Sequence, residues 1–397
     1  MPPTLTGSND AAWMAKKRTA ALELLPTLAM PSEREENWRY LDLSFDPDLD
    51  SAPSTPGVAS SDAIVAGWHG TVVTIVDGFI VTDGVQSIGE RNEETVSVDG
   101  DDLFSTAFVA YAPGTAYLGK ELLTQPVFVD IQSTSTATTF PGVHVDVAPG
   151  SDATVVVRMS SNSDQPAVTV PRVTANVGDN ARLTLSIIQD WNYATRAIGR
   201  CTIRLGRDSG LAFSEIGLGG KVGRLHLDVD YIGDGSHAKI YGAYFGEGNQ
   251  TLDYRYFMNH IGTNTRADMF LKGAVADTAL SVFTGMIRIE ETGQRTESFE
   301  TNRNLILSEG AAAQSVPNLE ILNNDVKCGH GSSIGPLDED QRYYLMSRGL
   351  TPEHADRLQV HGFFEEVVEQ IPDEHVAAWA RERINNKYIV AQQEGRV

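Results

Sequence analysis

The sequence predicts a mainly β protein whose core is framed by helices at both ends. Three observations predict it. Thirteen of the 17 prolines lie at or before Pro171, and none falls between Pro171 and Pro317. Proline lacks the N–H that a strand ladder needs, so the gap marks a regular hydrogen-bonded core with loops around it. Within the gap, short runs of apolar alternation recur between turns rich in Gly, Asp and Asn. On either side of it the apolar period lengthens to that of a helix.

The elements follow in order. From Asp10 to Leu25, residues Ala11, Met14, Ala15, Ala21, Leu22 and Leu25 share one helical face broken only by Arg18, and Asp10 suits the first-turn cap. Ser32 and Glu35 stand at capping-box spacing and predict a second helix start, with Trp38 and Tyr40 following as aromatic anchors. Residues 46–62, rich in Pro, Gly and Ser, read as a linker. A β-branched run, Val72 to Val76, meets Asp77-Gly78 and then Phe79 to Val81, a hairpin with its turn dipeptide. Residues 102–119 read as a helix broken by Pro113-Gly114.

In the proline-free core, Leu225, Leu227, Val229 and Tyr231 alternate with His226, Asp228 and Asp230. Similar runs lie around 183–188, 202–205, 238–245, 269–275, 282–289 and 305–307. A sandwich, a barrel and a β-solenoid all fit this spacing, and no sharp repeat selects one. After Cys328 the period becomes helical. Asp338 with Gln341 caps one helix ended by Gly349, Thr351-Pro352 opens a second, and Pro372-Asp373 opens a third carrying Val376, Ala377, Ala380, Ile384 and Tyr388 on one stripe. The expected organisation is an N-terminal helical arm (1–45), a linker and mixed segment (46–137), a β core (138–325) and a C-terminal helical module (326–397).

Composition narrows the function. The 397 residues carry a formal charge of −22, from 31 Lys and Arg against 53 Asp and Glu. That field repels phosphate backbones and anionic lipid heads and weighs against nucleic-acid or membrane-surface partners. No stretch reaches the roughly 18 apolar residues of a membrane span, and Met1–Asp10 lacks a charged region followed by an apolar one. A soluble, cytoplasmic protein is expected. Two cysteines, Cys201 and Cys328, make neither a disulfide framework nor a four-thiolate zinc site. Gly217–Gly223 lacks the spacing and the Ser/Thr of a phosphate loop and reads as a turn between strands. His354 and His361 read as solvated or capping residues, and Cys201 as a small core residue.

One cluster differs. Asp325-Val326-Lys327-Cys328-Gly329-His330-Gly331 follows Pro317-Asn318-Leu319-Glu320-Ile321. On a strand, Cys328 and His330 project to one side about 7 Å apart. Thiolate and imidazole together suit iron, zinc or copper(I), and Lys327 would favour the thiolate. Two donors do not close a tetrahedral site, so a metal there needs ligands from elsewhere or from a partner chain. The competing reading is a buried cysteine and a hydrogen-bonded histidine at a sheet edge.

These motifs, with Gly335–Asp340, Tyr343–Gly349 and the N-terminal stretch Pro31–Tyr40, resemble the SufB/SufD family of iron–sulfur cluster assembly proteins. The short length, the absence of a cysteine-rich N-terminal extension and the Lys-Cys-x-His-Gly sequence place the resemblance nearer the SufD branch. The resemblance implies a right-handed parallel β-helix between helical ends, in a non-catalytic scaffold subunit of a SufB–SufC–SufD complex. It implies pairing with a SufB-like subunit through the β-helix and docking of a SufC-like ATPase on the C-terminal helices; the amphipathic helix pair there points to its exposed face, with Glu365 and Glu366, as the docking surface. It also implies that His330, with Cys328 less securely, serves a transient iron–sulfur cluster at the seam, near Lys327 and Glu320, with no stably bound cofactor. Rival readings are a polysaccharide-acting β-solenoid enzyme and a structural homodimer without a metal role; homodimerisation also suits the chain in isolation.

Overall fold

Parallel strands of about ten residues, each flanked by a tight turn, stack here because every turn of chain presents its apolar face to the same axis. The computed structural model describes residues 10–60, 64, 67–91, 102–162 and 164–397. The reading of Met1–Asn9 and the last two residues of the expected linker, Ser61 and Asp62, lie outside the described residues. Among the described residues two sheets of ten and nine strands face each other, and from Arg172–Val177 onward successive strands alternate between them. Apart from the short hairpin Thr71–Val76 with Phe79–Ile80, turned at Asp77-Gly78, the ladders are parallel. The architecture is a parallel β-helix, as the resemblance implied, and it removes the sandwich and the barrel.

In-register pairing turns the sequence into columns running along the axis. One column stacks Val127, Val155, Leu185, Phe213, Ile240 and Met269, all fully buried. A second, on the opposing sheet, stacks Val143, Val173, Cys201, Leu227 and Tyr256, so Cys201 is a core residue whose thiol burial raises well above its ordinary value. Pro317 lies in Ala312–Ile321, the last strand of its sheet, where its missing N–H breaks no ladder. The glycine cluster is the turn between Gly210–Gly217 and Val222–Tyr231. There a Cβ on Gly219 would overlap the Trp191 backbone and Gly220 has φ +95°.

The helical ends cover the two outer faces. Helix α1 (Ala12–Leu24) packs on α2 (Leu103–Tyr111), but Asp10 does not cap it. Asp10 instead pairs with Arg18 at 2.5 Å, which explains how an arginine occupies the buried face. Glu35 accepts from the Ser32 N–H at 2.9 Å as a capping box requires, yet only a 3₁₀ turn, Glu36–Trp38, follows. Trp38 packs on Phe104 with ring centroids 5.4 Å apart and under the Arg224 guanidinium at 4.1 Å. The expected helix over 102–119 ends at Tyr111, and Thr115–Leu118 joins a sheet. The described part of the linker is strapped to the β-helix: Gly57 N donates to Asp77 and Ser60 N to Gln132.

At the other end α3 (Glu339–Ser347), α4 (Pro352–Val368) and α5 (Glu374–Gln393) begin at Asp338, Thr351 and Asp373 caps. Helices α4 and α5 bury Val360, Phe364, Val367, Ile384 and Tyr388 with Val156, Ile188, Ile216 and Phe245 on the sheet's outer face. Strand continues to Gly335, beyond the boundary expected at 325/326, and the helices start only at Glu339.

Candidate functional site

The site is the open C-terminal end of the β-helix. Ala312–Ile321 and Val326–Gly335 are the last strands of their sheets, each paired on one side only. Their inward residues have no further turn above them, so Leu319, Ile321 and Ile334 remain exposed at the mouth. His330 is exposed on Val326–Gly335, and Cys328 is half-buried on the same face. Their partners, Glu300 and Ser298, lie on the inward face of Thr296–Ile306.

Alternation separates the other two predicted residues from that pair. Lys327 lies on the outer face, donating to Glu297 at 2.9 Å. Glu320 also faces outward, accepting from Arg288 at 3.0 Å. Lys327 therefore does not draw a proton from Cys328, whose thiol burial holds above its ordinary value. The reading of Lys327 as the activator of a thiolate is corrected by this geometry. His354 and His361 bond to Thr351 and Asn385 and stay outside the site.

Glu365 and Glu366 do not form a free docking face either. Glu365 holds Arg381 in a two-bonded pair at 2.5 and 2.8 Å. Glu366 accepts from Lys272, whose side chain is 2% exposed, and lies 3.6 Å from Arg303. Apolar surface is left open on this module by Tyr343, Tyr344 and Met346 on α3 with Leu350 and Leu358, beside a cleft of about 770 Å³ between α3, α4 and the β-helix, and separately by Val390 on α5.

The residue that sequence reasoning missed is Glu300. It continues the apolar column after Met269 and directly precedes His330. It is 1% exposed, burial pushes its carboxyl up to about 8, and among the described residues neither oxygen has a hydrogen-bond partner. A Cβ on Gly285, across the axis, would overlap this carboxylate. The available signal was the run of Glu300, Asn302 and Asn304 at period 2, a polar face where a core face belongs. Among the described residues no group of three or more His, Cys, Asp or Glu side chains is arranged to hold a metal.

The family model for the SUF system FeS cluster assembly SufBD core domain matches residues 129–363, from the first full turns to helix α4. The chain belongs to the SufBD family. A SufD iron–sulfur cluster assembly protein of Escherichia coli is 25% identical over 386 residues, covering 92% of this chain and 91% of that protein. The SufD protein of Bacillus subtilis is 32% identical over 201 residues, covering 50% of this chain and 46% of that one. A SufBD family protein of Mycobacterium tuberculosis is 38% identical over 203 residues, 49% of this chain; the chain spans about half the length, 51%, of that relative. Within the SufBD family the chain is SufD-like. Among the described residues no helix is long and apolar enough to cross a membrane.

Proposed function

We propose that this chain is the SufD-type scaffold subunit of a cytoplasmic SufB–SufC–SufD complex, without catalysis of its own. It lends His330 to a nascent iron–sulfur cluster at its seam with a SufB-type subunit. The observation that carries this is the position of His330: exposed, on the inward face of the last strand, at the unpaired end of the β-helix. Exposed Leu319, Ile321 and Ile334 around the mouth suit cover by another β-helix end, and two unpaired edges offer main-chain groups for it.

A cluster built for release is held by an incomplete ligand set, because full thiolate coordination would retain it. One imidazole here and a thiolate from the partner meet that need, and the cluster is cargo rather than a resident group. The SufC-type ATPase docks on the helical module at the open α3 surface, so nucleotide-driven closure acts on the seam through α4, which is packed on the β-helix.

The test is reconstitution of the three-subunit complex with His330→Ala. Cluster formation falls at least tenfold while the SufB- and SufC-type subunits still co-purify. Undiminished cluster formation overturns the assignment.

A further inference from the structure

The inward face of Thr296–Ile306 carries five polar residues, and four of them are satisfied, Thr296 by Thr265 at 2.8 Å and the Gly293 carbonyl at 3.0 Å. Ser298 bonds to His260 Nε2 at 3.1 Å. Asn302 donates to Tyr244 Oη at 3.1 Å, Asn304 donates to Asn302 at 2.7 Å, and Tyr244 closes the network on Asn304 at 2.7 Å. Glu300 alone is left out, with both oxygens buried and unpartnered. The six positions before Glu300 in its column are all apolar: Val127, Val155, Leu185, Phe213, Ile240 and Met269.

An unpaired buried carboxylate costs stability that an apolar side chain in the same column would not. Gly285 adds a second cost, since it leaves the opposing strand without a side chain at the point where the carboxylate lies. Both features keep a carboxyl oxygen donor on the strand next to that of His330, in direct register with it, the two backbones one strand spacing, about 4.8 Å, apart. Carboxylate oxygen and imidazole nitrogen are a donor pair for a divalent first-row ion such as ferrous iron or manganese.

We propose that Glu300 and His330 together bind one divalent iron ion within this chain, Glu300 supplying oxygen from below and His330 nitrogen from the mouth. The inference rests on the reading of His330 as the ligand this chain contributes. It adds that iron is taken up by this subunit itself, through an intrachain pair that any donor from a partner then completes. Cys328, on the same face two residues away, lies above Ser298 rather than above the carboxylate.

The experiment titrates the full chain anaerobically with ferrous ion by calorimetry, and with manganous ion by loss of its free-ion spectrum. The wild type binds one ion per chain; Glu300→Gln and His330→Ala each weaken binding at least tenfold. Glu297→Gln, on the outer face of the same strand, leaves it unchanged. Without metal, Glu300→Gln melts at or above the wild-type temperature, and the rise in melting temperature that metal gives the wild type is lost. Wild-type affinity in Glu300→Gln overturns the proposal. So does a metal-free melting temperature well below wild type, which would make Glu300 a structural residue. If Glu300→Gln binds normally while His330→Ala complexes build no clusters, the intrachain site falls and the scaffold reading stands. If both variants lose the ion while His330→Ala complexes build clusters normally, the metal site stands and the scaffold reading falls.

Discussion

Lys272 and Glu366 join the β-helix to its C-terminal module. The lysine ammonium, buried on the outer face of the sheet, donates to the Glu366 carboxylate and to the Phe363 carbonyl at 2.8 Å, with the Phe363 ring 4.4 Å from Nζ. Glu366→Lys places a second cation against a buried one. Removing one partner of a buried pair costs about 3–5 kcal/mol, and exposure of Glu366 to solvent puts the expected loss at the lower end. Denaturant unfolding should show a lower midpoint, with α4 and α5 exchanging their amide protons faster than the β-helix. A midpoint within error of wild type would show that the pair does not hold the module.

The ATPase surface is then sought on α3. None of its residues is buried, and Tyr343 is 76% and Tyr344 56% exposed. Substituting Tyr343→Ser with Tyr344→Ser removes aromatic area without opening a cavity. Binding of the SufC-type subunit should weaken at least tenfold in a pull-down titration while the melting temperature moves by no more than about 1 °C. Unchanged affinity would place the docking surface elsewhere.

Strands were legible where apolar and polar residues alternate, as in Val222–Tyr231, where inward Leu225, Leu227, Val229 and Tyr231 alternate with outward His226, Asp228 and Asp230. Thr296–Ile306 was not, apart from its last residues, because its inward face runs Thr296, Ser298, Glu300, Asn302 and Asn304 and no hydrophobic period exists to read. Asp152–Ser161 shows the opposite difficulty. Covered on both faces, its middle is the run Val155-Val156-Val157, which shows no alternation to read. For the site, spacing gave Cys328 and His330 one face, but Glu300 is 30 positions away and reaches His330 only through strand register. Lys327 and Glu320, close in sequence, are turned away by the same alternation that brings Cys328 and His330 together.

Buried titratable groups set a pH dependence of stability. Burial holds the imidazoles of His144 and His260 down at about 3 and pushes the Glu215 carboxyl up to about 8. Below pH 6.5 the unfolded chain protonates each histidine and the folded chain does not, so their contribution is lost as pH falls toward 3. Above pH 4.5 the unfolded chain ionises Glu215 while the fold keeps it protonated, so stability falls as pH rises toward 8. Each group contributes about 1.4 kcal/mol per pH unit inside its window. Compared with wild type, Glu215→Gln should gain relative stability between pH 4.5 and 8, and His260→Gln should gain it between pH 6.5 and 3. Unfolding free energies taken across that range check both signs; a constant difference for either variant would show that the group is ionised alike in folded and unfolded chains.

Trp38 fastens the N-terminal arm to the opposite outer face. Its ring lies between Phe104 and the buried Arg224 guanidinium, and Arg255 reaches the Glu36 carbonyl at 2.6 Å beside it. Arg224 is paired with Asp253 in an almost fully buried contact, so the ring also excludes water from a charge pair. Trp38→Ala should destabilise the chain by about 3–5 kcal/mol through lost packing area. Trp38→Phe, which keeps an aromatic face over the cation, should recover more than half of that loss. If an aliphatic Trp38→Leu recovers as much as Phe does, burial alone accounts for the anchor and the guanidinium contact adds nothing measurable.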